Sequence, residues 1–549
     1  MNLDDPRVAE IVSKVVARLQ GGTPLSPLPL REGVGGGVRS AEAARGTPLS
    51  NDCWTRTKPR RSSDDKPLEQ KWRKRYGMSA ETTPAAKPEP KAPRAEAPAA
   101  IMRGTPGEGI YDDVDAACKA AQASYEQLRK LGFNARFGLI DAFRKAALEN
   151  CERWSVDAAA ETKMGRAEDK IKKNRLVTLK TPGPEFLQRP ETHSGSDGLT
   201  LIRLDPWGVI ASVIPCTNST ETVINNGIGM VSAGNAVVFN PHPIAKKVSV
   251  DCVRTINRAI AAAGGPRELL CCITEPTIES ANALMAHPLT PLVLVTGGGA
   301  VVHAAMKSGK RAICAGPGNP PAVVDETACP VRAARAIVNG ASLDNNVVCT
   351  DEKSAIVVAS IADRLKAEML KLPVVELTGG DIERLTNLVL HEKGGPGKHG
   401  APNKKLVGKN PSHILRELGK NVDDSVRLVL VDVDKDHPLV WTEQLMPVFP
   451  MCRVPDADAA IAHAVAVEDG RRHTASIHSE RLDRITKFSN AIGVSICVVN
   501  DANYAGLGMN GEGYTSFSIS TPTGEGLTTA RTFSRERRLA MAAGAFRRV

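Results

Sequence analysis

Hydrophobic positions form one isolated helical stripe near the N-terminus, then lose all period, then alternate between helix and strand spacing almost to the C-terminus. Val8, Ile11, Val12, Val15, Val16 and Leu19 share one helical face, with Asp4 or Asp5 able to cap the helix and Pro6 in its first turn. A helix this short cannot bury its stripe alone. It either docks on its own domain or serves as a detachable ligand for a partner's groove. From Gly21 to about Thr105 the composition turns to Pro, Gly, Ala, Ser and Arg, with near-repeats at Gly22-Thr23-Pro24-Leu25-Ser26 and Gly46-Thr47-Pro48-Leu49-Ser50. This predicts a disordered linker, which tethers the first helix loosely and favours the partner-ligand reading.

Beyond Ile110 the patterns are regular. Val114–Leu131 and residues 137–154 predict long amphipathic helices, and the Ala/Lys/Glu-rich run through Asn174 continues the helical character. Residues 199–203 and 208–214 predict strands, Ser219–Ser232 a helix closed by Gly234, and 236–239 a strand followed by a helix to about Ala263. Residues 292–295 predict a strand whose Thr296-Gly297-Gly298-Gly299 turn opens another helix. A second series follows at Ser354–Val358, 427–431, Thr474–His478 and 494–499, and the tail from Tyr514 holds one alternating strand. Strand, turn and helix at this spacing predict an α/β fold on a parallel sheet, with ligands outside the strand C-termini.

Between a helical segment at 333–337 and the strand Ser354–Val358, the loop Ser342-Leu343-Asp344-Asn345-Asn346-Val347-Val348-Cys349-Thr350-Asp351-Glu352-Lys353 sets one cysteine in polar surroundings. A cysteine taken blind is usually an inert small hydrophobe. At this junction Cys349 is also a candidate nucleophile, which attacks as thiolate and needs a lowered pKa, with Lys353 as a nearby cation. The Gly297, Gly298 and Gly299 turn at a helix N-terminus offers backbone N–H groups to a pyrophosphate. Turn glycines are mostly geometric, however, and no G-x-G-x-x-G fingerprint is present.

The chain of 549 residues, 42% of them apolar, has room for two or three domains. Its net charge of +10 would suit nucleic acid, but residues 1–105 carry 19 Lys+Arg against 12 Asp+Glu and so hold most of the excess. With aromatic residues at only 4%, stacking platforms are not expected either, and nucleic acid is set aside. The twelve cysteines lack zinc spacing, which predicts reduced thiols and no metal site. No secretory h-region is present, nor any run near the ~18 apolar residues of a membrane span. A cytoplasmic protein without a membrane partner is expected.

In chain order, Pro215-Cys216-Thr217-Asn218, Asn225-Asn226, Ala233-Gly234-Asn235, Phe239-Asn240-Pro241-His242-Pro243, Thr296-Gly297-Gly298, Gly316-Pro317-Gly318-Asn319-Pro320-Pro321 and the Cys349 loop resemble the CoA-acylating branch of the aldehyde dehydrogenase superfamily. The resemblance spans roughly residues 106–530. Glu161-Thr162, Met164-Gly165, Glu168-Asp169-Lys170 and Gly513-Tyr514-Thr515 are similar to the microcompartment enzymes that process propanediol or ethanolamine. It implies an aldehyde dehydrogenase-like fold, with a Rossmann-like NAD- and CoA-binding domain at 106–335 completed by part of the C-terminus, and an α/β catalytic domain at 336–510. Strands near 185–203 and 514–530, the latter in a C-terminal segment 511–549, would pair subunits into dimers or tetramers.

The resemblance makes Cys349 the nucleophile toward a short aldehyde, propionaldehyde first and acetaldehyde second. Asn218 and the Cys349 backbone N–H would stabilise the thiohemiacetal oxyanion, an effect worth several kcal/mol in comparable sites. Hydride would pass to NAD and the acyl group to coenzyme A. By residue type alone, Asn218 reads rather as a helix N-cap. Thr217, Thr296, Gly297 and Gly298 would line the cofactor. His242 would meet its adenosine ribose, unless it is a solvated loop histidine. Glu443 would hold the nicotinamide ribose, unless it is an exposed helix-end carboxylate. His473 and His478 recur in this branch without an assigned role. Hydrolysing relatives carry a water-activating glutamate where this chain has Ile313-Cys314-Ala315-Gly316-Pro317-Gly318, which contains no acid and so favours transfer to CoA. Residues 1–20 would direct the enzyme into a bacterial microcompartment shell; the linker 21–105 is longer than in the family, and 24–61 resembles inserted low-complexity sequence. A hydrolysing aldehyde dehydrogenase and a mainly structural cargo or scaffold protein are the other readings.

Overall fold

The computed structural model describes residues 104–549, so the expected helix at 4–20 and the linker through residue 103 lie outside the described residues. Two parallel sheets carry the fold. In the first, the strands run Ile110–Tyr111, Leu270–Ile273, Ala236–Asn240, Val209–Val213, Leu292–Thr296, Arg311–Ala315 across the sheet. In the second they run Val374–Leu377, Leu428–Val433, Val448–Val454, Ser354–Val358, Pro321–Val324, Thr474–His478, Ile496–Val499. Every pairing in the two sheets is parallel. Helices cover both faces of such sheets, which is why the central strands Ala236–Asn240 and Ser354–Val358 are continuous buried runs without polar alternation.

The long helices follow their apolar spacing. Val114–Leu131 is capped by Asp113, whose side chain accepts the Ala116 N–H. Residues 137–154 belong to one 28-residue helix, Ala135–Thr162, and the run through Asn174 forms a further helix, Ala167–Lys180. Ser219–Ser232 is buried along its whole length and ends before Gly234, whose φ of +89° is a left-handed conformation that glycine adopts without strain.

Two boundaries differ from the sequence expectation. Pro321–Val324 pairs on both sides within the second sheet, and the helix Pro330–Ala341 contributes to that sheet's core. The divide between the lobes therefore lies between residues 315 and 321 rather than at 335. The strand follows Pro320 and begins at Pro321, and proline in a run reads against a central strand. The tail also differs. Residues 514–530 hold only the two-residue strands Ile519–Ser520 and Gly526–Leu527 and pack on the first lobe, where the Ser518 hydroxyl donates to Asn226 Oδ1 at 2.9 Å. The long C-terminal strand is Ser534–Met541, which pairs antiparallel with Gly198–Pro206, itself paired with Glu191–Gly195.

Candidate active site

The loop before Cys349 makes three consecutive left-handed residues, Asp344 (φ 48°), Asn345 (φ 55°) and Asn346 (φ 63°). Such a turn costs an ordinary L-residue roughly 1–2 kcal/mol per position, and Asp and Asn are the non-glycine types that tolerate it best. The surroundings lock it. Asp344 accepts the ammoniums of Lys170 at 2.8 Å and Lys173 at 2.6 Å and the Arg166 N–H at 2.7 Å, while its own N–H donates to Asp169. Asn345 bonds the Gly408 carbonyl and Asn410, and Asn346 donates to the carbonyls of Ala341 and Glu352. Gly165 lies so close that a Cβ there would stand 1.9 Å from Asp344 Oδ1. The Met164-Gly165 and Glu168-Asp169-Lys170 motifs thus serve to brace the Cys349 loop.

Lys353, expected to lower the cysteine pKa, has a mainly structural place. Its buried ammonium donates to the Asn346 carbonyl and side chain and to the Val348 carbonyl at 2.7–3.0 Å. Cys349 is half-buried at the junction of the lobes, packed against the first core. Burial pushes its thiol up to about 12, the Glu443 carboxylate adds to the rise, and Lys353 pulls the other way without prevailing. The expectation of a thiol already lowered in the free protein is therefore corrected: desolvation outweighs the single cation.

Glu443 sits on a loop, half-buried, and accepts the Gly318 N–H; burial raises its pKa. Asn319 fixes this loop by donating to the carbonyls of Val440 and Val467, which gives the Gly316-Pro317-Gly318-Asn319 motif its structural role. His473 converges on the same point. A Cβ on Gly318 would meet the His473 ring at 2.9 Å and the Cys349 carbonyl at 3.1 Å. His473 Nδ1 pairs with the Thr474 hydroxyl and Nε2 is buried without a partner. Burial, with Lys353 and Arg471 adding, lowers its pKa to about 3, so the imidazole is neutral. His478, lowered to about 4 by burial and Arg332, lies on the strand Thr474–His478 with both ring nitrogens unfilled.

Asn218 occupies the N-cap position of the helix Ser219–Ser232, yet its side chain makes no cap bond. Its Oδ1 instead accepts the Lys173 ammonium at 2.7 Å, and its Nδ2 has only a long 3.3 Å bond to the Thr217 hydroxyl. Lys173 was not singled out by sequence reasoning. The available signal was Lys170, Lys173, Asn174, Val177 and Thr178 at i, i+3, i+4, i+7, i+8, a polar set on the stripe that also carries the buried Val177.

The remaining candidates lie outside the carboxyl ends of three adjacent strands of the first sheet, where the strand order reverses and nucleotides characteristically bind. Thr217 follows Val209–Val213, His242 follows Ala236–Asn240, and Thr296 ends Leu292–Thr296. Two of these groups are already engaged. Gly297 N–H donates to the Ala315 carbonyl at 3.0 Å, and the Thr296 hydroxyl pairs with Ser518. Gly298 and Gly299, the other two glycines of the expected turn, have open space in front of them at the N-terminus of the helix Gly299–Met306. His242 is exposed, accepts the Ile244 N–H on Nδ1, and has its pKa lowered by partial burial. Among the described residues no cluster of three or more His, Cys, Asp or Glu side chains could hold a metal ion, and no helix is long and apolar enough to cross a membrane.

Comparison with known proteins places this geometry. The profile of the aldehyde dehydrogenase family matches residues 101–386 and 426–521. The acetylating acetaldehyde dehydrogenase of Bilophila wadsworthia is 47% identical over 435 residues, covering 78% of this chain and 89% of its own. The CoA-propanoylating propanal dehydrogenase of Salmonella typhimurium is 43% identical over 439 residues, covering 80% of this chain and 93% of its own. Among solved structures, the Rhodopseudomonas palustris propionaldehyde dehydrogenase with bound CoA and an acylated cysteine superposes with a TM-score of 0.77 at 43% identity, covering 80% of this chain and 99% of that one. The propionaldehyde dehydrogenase from the fucose utilisation microcompartment of Clostridium phytofermentans superposes at 0.76 and 42%, over 79% and 98%.

Proposed function

This chain belongs to the aldehyde dehydrogenase family, in its CoA-acylating branch, and from that premise we propose how its own residues oxidise a short aldehyde, propionaldehyde or acetaldehyde, to the acyl-CoA. The observation that carries the reading is a cysteine at the lobe junction, on a loop locked by buried ion pairs, beside a 313–318 segment with no acid to activate water.

Cys349 sulfur, as thiolate, bonds the carbonyl carbon and the π pair moves to oxygen. Asn218 Nδ2 and the Cys349 N–H donate to that oxyanion. NAD, when bound, supplies the acceptor for the hydride expelled as the C=O bond re-forms, leaving a thioester on Cys349. Glu443 and the open Gly298 and Gly299 turn would hold it, with Thr217 beside it. His242, through its second ring nitrogen, is assigned to the ribose at the rim. The CoA sulfur then adds to the thioester carbon, the bond to Cys349 breaks, and the cysteine thiolate returns. The CoA sulfur attacks as thiolate, its proton having gone to solvent, because His473, held neutral by burial with a pKa of about 3, is too weak a base to take it.

One observation favours hydrolysis as a second reading: Glu443 is close enough to raise the Cys349 pKa and could deprotonate a water. NADH formation from propionaldehyde with and without CoA separates the two. Continuous turnover is expected only with CoA, with about one NADH per active site in its absence; sustained turnover to propionate without CoA would give the reaction to water.

Residues 1–20, with their single apolar stripe, are assigned as a shell-directing segment of a microcompartment cargo enzyme, consistent with the source of the Clostridium phytofermentans relative. Deleting them should leave kcat unchanged and abolish co-sedimentation with shells; retained co-sedimentation would refute the assignment. The sheet of Glu191–Gly195, Gly198–Pro206 and Ser534–Met541, with its exposed edge strand, is assigned to subunit pairing in a dimer or tetramer, which sedimentation of a chain truncated after residue 533 would test.

A further inference from the structure

The helix Ala167–Lys180 turns Asp169, Lys170, Lys173 and Asn174 inward, each at most 1% exposed. Lys173 Nζ stands 2.7 Å from Asn218 Oδ1, 2.6 Å from Asp344 Oδ2 and 3.0 Å from Glu221 Oε1. An ammonium has only donors, so only the carbonyl end of the Asn218 amide can face it. That contact fixes which way the amide points and leaves Nδ2 on the far side. An asparagine at an N-cap would ordinarily turn its oxygen to the free N–H groups of its own helix; here the charged donor wins, because charge-assisted hydrogen bonds are roughly twice as strong as neutral ones. The second anchor, Asp344, belongs to the loop of Cys349. One ammonium therefore holds both the side chain that precedes Ser219 in the first lobe and the loop that carries the nucleophile.

We propose that Lys173 is a positioning residue for the oxyanion site: bonded at once to Asn218 and Asp344, it aims the Asn218 amide and keeps it in register with the Cys349 loop. The inference rests on the assignment of Asn218 as an oxyanion donor. Burial alone would lower the Lys173 pKa, but Asp344 and Glu221 reverse this and raise it, so the clamp stays charged at any working pH. Lys173 acts through Asn218, so its loss should slow the hydride-forming step and leave aldehyde KM nearly unchanged.

The test is single-turnover NADH formation at saturating NAD and propionaldehyde. Lys173→Met alone would leave Glu221 buried without its ion-pair partner, so it is paired with Glu221→Gln, which keeps one balanced Lys170–Asp344 ion pair. The paired variant is expected to lose about 10–100-fold in rate with KM within about threefold of wild type, whereas in an Asn218→Ala background it should cost less than about threefold more. A merely structural role would lower both backgrounds equally. Losses that multiply, or a paired variant at the wild-type rate, overturn the proposal. If the pair does not fold, Lys173→Arg, which keeps the charge but not the geometry, undergoes the same comparison: a loss that disappears in Asn218→Ala supports the clamp, and a multiplying loss or none refutes it. Asn218→Ala turning over at the wild-type rate would instead refute the oxyanion assignment underneath.

Discussion

Cys349→Ser protein is expected to form no NADH from propionaldehyde with or without CoA, a loss of about 10⁴–10⁶-fold in kcat, the range seen when a covalent nucleophile is removed. A hydroxyl ionises far less readily than a thiol, and the burial that pushes the Cys349 thiol up to about 12 would act on it too. The loop should survive the change, because it is held by Asp344, Asn345, Asn346 and Lys353 rather than by sulfur. Thermal unfolding is therefore expected to shift by no more than about 1 kcal/mol, and mass spectrometry should find no acylated protein. Retained CoA-dependent turnover would move the nucleophile elsewhere, with half-buried Cys216, two residues before Asn218, as the alternative. The pH dependence follows from the same environment. Only thiolate reacts, and a thiol near 12 is almost wholly protonated at neutral pH, so alkylation of Cys349 in the free enzyme should rise about tenfold per unit between about pH 7 and 9. A plateau in that range would mean that Lys353 outweighs burial.

The helices Val114–Leu131 and Ser219–Ser232 could be read from the sequence to the residue because they repeat their apolar spacing over several turns, and the five-residue strand Thr474–His478 could be read from its position between polar segments. Pro321–Val324 could not, since Pro320-Pro321 at its start reads against a central strand, and the lobe boundary was misplaced with it. The site shows the same contrast between local and distant information. Cys349 stood out as a cysteine in a polar loop, and the Asp344-Asn345-Asn346 run that makes its left-handed turn is written in residue types suited to that conformation. What holds the turn was not legible. The run through Asn174 reads only as helical, with Lys170 part of a motif and Lys173 unmarked; charged residues are rarely buried unless paired, and the partners of these two, Asp344 and Glu221, lie far away in sequence. The sign of the Cys349 shift was missed for a related reason: Lys353 is a neighbour in sequence, whereas the burial and the Glu443 carboxylate that overrule it come from the fold.

Asn218→Ala is expected to lower kcat by about 10²–10³-fold with little change in aldehyde KM, the signature of a donor that matters only as charge develops on oxygen. Three observations set this expectation: the amide makes no helix cap, Lys173 holds its oxygen, and its Nδ2 has only the 3.3 Å Thr217 hydroxyl as a partner. The donor is thus oriented before substrate arrives, and the reaction need not reorganise it. Folding should tolerate the change, since Lys173 keeps Asp344 and Glu221 as partners. Asn218→Asp should be worse than alanine: a carboxylate would still satisfy Lys173, but it would set negative charge where the oxyanion forms. If Asn218 were simply a cap, the order would reverse. Alanine would cost about 0.5–2 kcal/mol of stability with kcat intact, and Asp or Ser, both good caps, would restore it. Steady-state kinetics and thermal unfolding of the Ala, Asp and Ser variants therefore distinguish the roles, since a cap predicts that activity follows stability and an oxyanion donor predicts that it follows the amide N–H.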